Sequence, residues 1–165
     1  MRRLSLLSVL TFAALLNVPA AQAQQPAAPA PLPLLGATVT LEQAKKVAAA
    51  AEAEAKKNNW TMVIVVAEPN GQLVYLQKMD GTQYGSLAVA TDKATSSALF
   101  RRPTTAIDTA LRAGNNYLLM MRGASGVPGG QPLLMDGKLI GAIGVSGATG
   151  AQDDQVAVVG AAAMK

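Results

Sequence analysis

The chain has 165 residues and a formal net charge of +4, and half of its residues are hydrophobic. It contains no cysteine and no histidine, which excludes disulfides, cysteine nucleophiles and the metal or catalytic sites that depend on an imidazole. Basic residues do not form a stripe with interleaved aromatic residues, so we expect no nucleic acid partner.

The first 23 residues have the pattern of a secretory signal peptide. Arg2 and Arg3 form a basic start, an apolar run follows, and Ala21-Gln22-Ala23 matches a cleavage site. Because the apolar run is too short to span a bilayer, we expect no stable membrane anchor. The sequence predicts a periplasmic or secreted protein that begins at Gln24 and carries a net charge of +2.

Residues 24–36 are mostly Gln, Ala, Pro and Leu, a composition typical of flexible linkers rather than of a packed core. We expect this segment to be a flexible tether. Residues 37–165 are then the right length for one domain and can bury a core without disulfides.

The first half of this domain is predicted to form a helix and a β-hairpin. Thr40 and Gln43 match a capping box, and alanines follow at helical spacing. The β-branched run 61–67 predicts a central strand, and residues 68–71 (Glu-Pro-Asn-Gly) predict a tight turn into a second strand at residues 73–79.

The second half alternates helices with another hairpin. We predict elements in the following order: a helix over residues 85–100, a helix over 106–112, strands over 131–135 and 138–145, and a helix over 151–164. Tight hairpins imply antiparallel pairing, so the fold class is α+β. Residues 115–130 are a long connection from which one further strand is expected.

Glycines recur every third residue in the second hairpin, at Gly141, Gly144 and Gly147. We interpret Gly141 and Gly144 as room for a packed helix or subunit. Ser146 with Gly147, at the strand end, is an equally good candidate for ligand contact through the backbone. The acidic pair Asp153-Asp154 is interpreted as stabilising the first turn of the last helix.

Several short motifs carry a family resemblance through their order and spacing. They are Lys78-Met79-Asp80-Gly81, Asp92-Lys93-Ala94, residues 100–104, Gly129-Gly130-Gln131-Pro132, residues 141–147 and Gln152-Asp153-Asp154. Together they resemble the GlcG/HbpS family, to which the C-terminal domain of PduO proteins is related. The resemblance implies a profilin- or PAS-like five-stranded antiparallel sheet with packed helices, and assembly into homo-oligomers.

Some members of that family bind haem, and the resemblance therefore makes haem the expected cofactor. Without histidine, iron ligation must use Tyr84, Met79, the Thr104 hydroxyl or solvent, with Arg102 beside a propionate. We expect an exported, non-catalytic haem- or tetrapyrrole-binding protein that stores its ligand or takes part in sensing. The residues do not decide whether any other metal binds.

Two alternatives remain open. The first is an accessory protein that binds a small carboxylate such as glycolate, in a polar pocket around Lys93, Arg102, Ser146 and Gly147. The second is an assembly subunit without a ligand.

Overall fold

The computed structural model describes residues 31–164. The elements, in chain order, are α1 (Leu41–Lys57), β1 (Val63–Ala67), β2 (Leu73–Lys78), α2 (Ser86–Phe100), α3 (Thr104–Arg112), a short 3₁₀ helix (Asn116–Met120), β3 (Gly130–Met135), β4 (Lys138–Ser146) and α4 (Gly150–Ala162). The predicted signal peptide and residues 24–30 of the predicted tether lie outside the described residues.

The four strands form one antiparallel sheet in the order β2-β1-β4-β3. The predicted α+β class is confirmed, and β1 is fully buried at the centre of the sheet, as its β-branched run indicated. The expectation of a fifth strand within residues 115–130 is wrong, because this segment forms the 3₁₀ helix and a loop. The four residues from Gly126 to Gly129 include two glycines and a proline, which disfavour strand pairing.

Residues 34–39 run beside the start of β4. The Leu139 N–H donates to the Leu34 carbonyl at 2.7 Å, and the Gly36 N–H donates to the Leu139 carbonyl at 2.7 Å. This bridge is parallel and isolated rather than part of a full strand. The last residues of the segment predicted to be a tether are therefore fixed on the sheet.

Helices cover both faces of the sheet. The first face packs against α1 and α4, and the second face packs against α2. Gly144 permits the second contact, because a Cβ at that position would collide with the Ala90 carbonyl and lie 2.9 Å from the Ala94 Cβ. The interpretation of Gly144 as room for a helix is confirmed, and Gly141 likewise faces the Ala67 carbonyl and the Val39 side chain.

The segments with strong local sequence patterns form the structures that those patterns predicted. Thr40 and Gln43 make both hydrogen bonds of a capping box at the start of α1. In the first hairpin, Gly71 has a φ of +84° and its N–H donates to the Glu68 carbonyl at 2.9 Å. Within residues 31–164, no helix has both the length and the hydrophobicity needed to cross a membrane.

Candidate functional site

The most buried charged side chain described belongs to Lys93, on the sheet-facing side of α2. Its Nζ donates to Asp153 Oδ2 at 2.7 Å and to the Val145 carbonyl at 2.8 Å. Burial lowers the pKa of Lys93, and the facing Asp153 carboxylate opposes that effect. We call Lys93, Asp153 and the backbone groups that they bind the polar node.

The second oxygen of Asp153 completes the polar node. Asp153 Oδ1 accepts from the Gly147 N–H at 3.1 Å and from the Ala148 N–H at 3.0 Å. Gly129 packs against the ion pair, since a Cβ there would lie 3.0 Å from Lys93 Nζ, and its φ is +118°. One carboxylate thus ties α2, the end of β4 and the start of α4 together.

Two predicted site residues lie in the same buried region with their polar atoms engaged. Thr104 Oγ1 accepts from the Gly130 N–H at 2.9 Å, and the Ser146 hydroxyl donates to Ser86 Oγ at 3.3 Å. Gly130 packs directly between the Lys93 backbone and Thr104. Four of the seven predicted residues therefore lie in or beside the polar node, namely Lys93, Thr104, Ser146 and Gly147.

The other three predicted residues make none of the contacts of the polar node. Met79 is half-buried against the core under α1 and α4. Tyr84 is 92% exposed just before α2, and the exposed Arg102 follows its end, where Nε donates to the Phe100 carbonyl at 3.1 Å. The 15 residues of α2 span about 22 Å, so Tyr84 and Arg102 are too far apart to contact the iron and a propionate of the same haem.

The contacts of Lys93 also bear on the small-carboxylate alternative. That alternative requires an ammonium group able to reach a ligand, whereas the Lys93 ammonium is fully buried and already neutralised by Asp153. The structure therefore favours an internal, structural role for this cation. Sequence reasoning missed the Lys93–Asp153 pair, although a lone lysine amid the small and apolar residues of α2 was a usable signal.

Two neighbouring open clefts share Gly126 and Val127. One, of about 380 Å³, lies between α2 and residues 123–127, and the other, of about 680 Å³, lies between α3 and the start of α4. Carboxylates line both clefts: Asp92 lines the first, and Asp108 and Asp154 line the second. None of the seven predicted residues lines either cleft. Arg112 also lines the second cleft, but its guanidinium is paired with Asp108 at 2.9 Å, so both clefts keep an excess of negative charge that disfavours an anionic ligand.

Immediately before this loop, the chain exposes an apolar segment that we call the apolar turn, residues 117–121. Tyr117 is 65% exposed, Leu119 74% and Met120 86%. The 3₁₀ helix in which they lie contains no buried residue. Such a concentration of exposed apolar side chains is typical of a binding surface. From the sequence, we expected residues 115–130 to contribute a strand, and we assigned no role to their apolar side chains.

Comparisons with known proteins place the chain in a family. A family model named HbpS-like, with the description "haem degrading protein HbpS-like", matches residues 39–162. Protein GlcG of Escherichia coli K12 is 38% identical over 105 residues, which are 64% of this chain and 78% of GlcG. An uncharacterized 15.0 kDa protein from the dhaT-dhaS intergenic region of Citrobacter freundii is 36% identical over 121 residues, 71% of this chain and 85% of that protein.

Solved structures agree. A double mutant of Streptomyces reticuli HbpS superposes with a TM-score of 0.73 at 31% identity, covering 84% of this chain and 99% of that one. Klebsiella pneumoniae protein ORFY gives a TM-score of 0.74 at 29% identity, covering 78% and 92%. The PduOC:heme complex shares the fold, with a TM-score of 0.69 at 22% identity and coverage of 76% and 94%. The family match over residues 39–162, together with this fold, shows that the chain belongs to the HbpS-like family, which includes GlcG-type proteins.

Proposed function

We propose that this protein is an exported, non-catalytic haem- or tetrapyrrole-binding protein that stores its ligand or acts as an accessory in sensing it. The observation that carries the proposal is the match of residues 39–162 to a family whose description, haem degrading protein HbpS-like, names haem. The fold shared with a chain solved as a heme complex supports the same ligand class. Export rests on the signal-peptide pattern of residues 1–23.

The described residues fit a haem at their surface rather than in their core. Haem needs apolar contact, an iron ligand and cations for its propionates, and in a chain without histidine the ligand must be an oxygen or a thioether. Exposed tyrosines, exposed methionine and arginines outside any ion pair are present among residues 31–164. When bound, the haem iron supplies redox and ligand-exchange chemistry that the amino acids lack.

The haem-binding residues predicted from the sequence fall into two groups in this proposal. Tyr84 and Arg102 are exposed and remain proposed contacts, each at its own end of α2. Thr104 is buried with its hydroxyl oxygen already accepting a hydrogen bond, and Met79 packs on the core. In this proposal, these two residues support the fold and do not contact the ligand.

Haemin titration of the purified chain, followed in the Soret region, tests the proposal. We expect a saturable change at one haemin per chain, and a spectrum that is stable for hours in the presence of ascorbate. Steady loss of the Soret band in the presence of ascorbate would indicate that the protein degrades haem rather than storing it. A non-saturating rise would refute haem binding, and calorimetry with glycolate would then test the small-carboxylate alternative. Fractionation with N-terminal sequencing tests export and cleavage before Gln24.

A further inference from the structure

We infer that the apolar turn binds the haem of the proposed function, with Tyr117 as the iron ligand and Arg122 as a propionate partner. The inference rests on the proposed function and deepens it, since it assigns the ligand to residues that neither the sequence patterns nor the family match identified.

The first step is the geometry of the 3₁₀ helix. With three residues per turn, side chains at positions i and i+3 lie directly above one another, about 6 Å apart along the axis. Tyr117 and Met120 have this spacing within the helix Asn116–Met120, and both are largely exposed. The turn thus presents a phenol and a thioether side by side, with Leu119 exposed next to them. One oxygen donor and two large apolar side chains are thus exposed on the same turn.

The three tyrosines of the chain differ in their surroundings. The Tyr75 hydroxyl is half-buried on β2 and donates to Gln77 Oε1 at 3.3 Å. The ring of Tyr84 already has the Lys78 ammonium 5.6 Å from its centroid, and Gln83 and Gly85 flank it. Tyr117 has the more exposed apolar neighbours, since Leu119 and Met120 are 74% and 86% exposed, whereas Leu87 and Val89, which follow Tyr84, are 45% and 37% exposed. A phenol there combines an iron ligand with the apolar surface that a porphyrin must cover.

The next step is charge. Arg122 follows the apolar turn directly and is exposed, and it takes part in none of the ion pairs among residues 31–164. The loop after it lies along the end of α2, because a Cβ at Gly123 would be 3.3 Å from Leu99 Cδ1. Arg102 follows α2 within two residues and is also outside any described ion pair. Two cations beside an apolar surface complement the two propionates of haem.

Binding is a ligand exchange that balances without a redox reagent. The phenolic oxygen of Tyr117 forms a bond to ferric iron, its proton passes to solvent, and the ligand previously on iron leaves. The positive charge of ferric iron stabilises the phenolate that it binds, so the exchange proceeds at neutral pH. The guanidinium of Arg122 holds a propionate and contributes in a salt-dependent way because it is exposed.

The test compares Tyr117→Phe with the matched control Tyr75→Phe in haemin titrations of the full chain, since the Tyr75 hydroxyl already donates to Gln77. We expect the wild type and Tyr75→Phe to show a tyrosinate-to-iron charge-transfer band and the corresponding phenolate mode in resonance Raman spectra. Tyr117→Phe should lose both signals and bind haemin at least tenfold more weakly, while its circular dichroism and urea midpoint stay unchanged. Phenylalanine keeps the apolar contact, so the loss reports the oxygen donor.

A second pair of variants tests the cation. Arg122→Gln should weaken haemin binding about threefold to tenfold at low salt, whereas Arg112→Gln should not, since the Arg112 guanidinium is already paired with Asp108 at 2.9 Å. Wild-type binding with an unaltered spectrum in Tyr117→Phe would overturn the inference and leave the proposed function standing. Failure of the wild type to bind haemin would overturn both.

Discussion

At the scale of single residues, the charge inside the core is the feature with the largest energetic consequence. Lys93 is fully buried, and its ammonium lies 2.7 Å from Asp153. Removing two charges from water costs several kcal/mol per ion, which the mutual attraction and the backbone hydrogen bonds must offset. The intact pair therefore contributes little net stability. Losing one partner is nevertheless strongly destabilising, because the other charge is then left buried without a partner.

We predict that Lys93→Met destabilises the protein by about 3–5 kcal/mol, the usual cost of leaving a buried charge without its partner. Methionine fills similar space, so the loss reports the charge on Asp153 rather than a cavity. Urea unfolding followed by circular dichroism measures it. Lys45→Met is the control, because Lys45 forms an exposed 3.7 Å pair with Glu42 of the kind that contributes less than about 1 kcal/mol. Equal losses in the two variants would contradict the prediction.

The polar node also shows why the site was harder to predict than the fold. Lys93 and Asp153 are 60 positions apart in the chain, and no local pattern links residues at that distance. Each was interpreted from its own neighbourhood, Lys93 as a ligand contact and Asp153 as a helix-dipole residue. Only the register of β4 between α2 and α4 brings them together. The capping Thr149–Gln152 pair, by contrast, has a purely local signal of the same kind as Thr40–Gln43 and was overlooked.

At the scale of elements, helices and hairpins were predictable because their determinants lie within a few residues. The first turn has a positive φ at Gly71, and the second has positive φ angles at both Asp136 and Gly137, as such turn residues favour. The strands on either side follow. Gly144 could be assigned to packing from the sequence, but its partner helix could not. The expectation of a further strand within residues 115–130 was wrong, because the glycines and the proline of residues 126–129 do not favour a strand.

The contact between α1 and α4 includes a carboxylate whose ionisation reports on that contact. Gln155 Nε2 donates to Glu54 Oε1 at 2.7 Å, and Asn58 donates to the same oxygen at 3.0 Å. The pKa of Glu54 lies below its ordinary value of 4.5. The largest cause is the hydrogen bond from Gln155, and the second is the hydrogen bond from Asn58. A lowered folded-state pKa stabilises the protein above the unfolded value, and that contribution is lost as the pH falls through the folded value.

We therefore predict that Gln155→Met raises the pKa of Glu54 towards 4.5. The wild type should be the more stable protein above that pH, and the difference should shrink as the pH falls through the folded pKa of Glu54. Carboxyl NMR titration gives the pKa, and urea unfolding at several pH values gives the stability. Glu52 is the internal control, since its pKa is lowered first by Lys56. An unmoved Glu54 together with a pH-independent stability difference would refute the prediction.

At the scale of the whole molecule, α2 is an unusual covering helix. It is apolar or small nearly all round, and its charged residues are Asp92 and the buried Lys93. The Gly71 turn contacts Thr95 and Leu99 in its second half, where Leu99 is still 47% exposed. The first half keeps Leu87 45% exposed and Val89 37% exposed, next to Tyr84. A helix that is apolar on all sides is normally buried on all sides, and this patch is the surface on which we expect a second copy of the chain.

The prediction is that the purified chain sediments as a dimer or a larger closed assembly, and that Leu87→Glu raises its dissociation constant about tenfold or more. A carboxylate in a self-complementary interface faces its own copy, so one substitution places two like charges in an apolar contact. Ala106→Glu adds the same charge at an exposed position of α3 and should leave the assembly intact. Sedimentation velocity over a range of concentrations distinguishes these outcomes, with the urea midpoint of each monomer as a check on folding. If the wild type remains monomeric throughout, the exposed face of α2 does not bind a second copy, and the homo-oligomer expected from the family resemblance does not form through this helix.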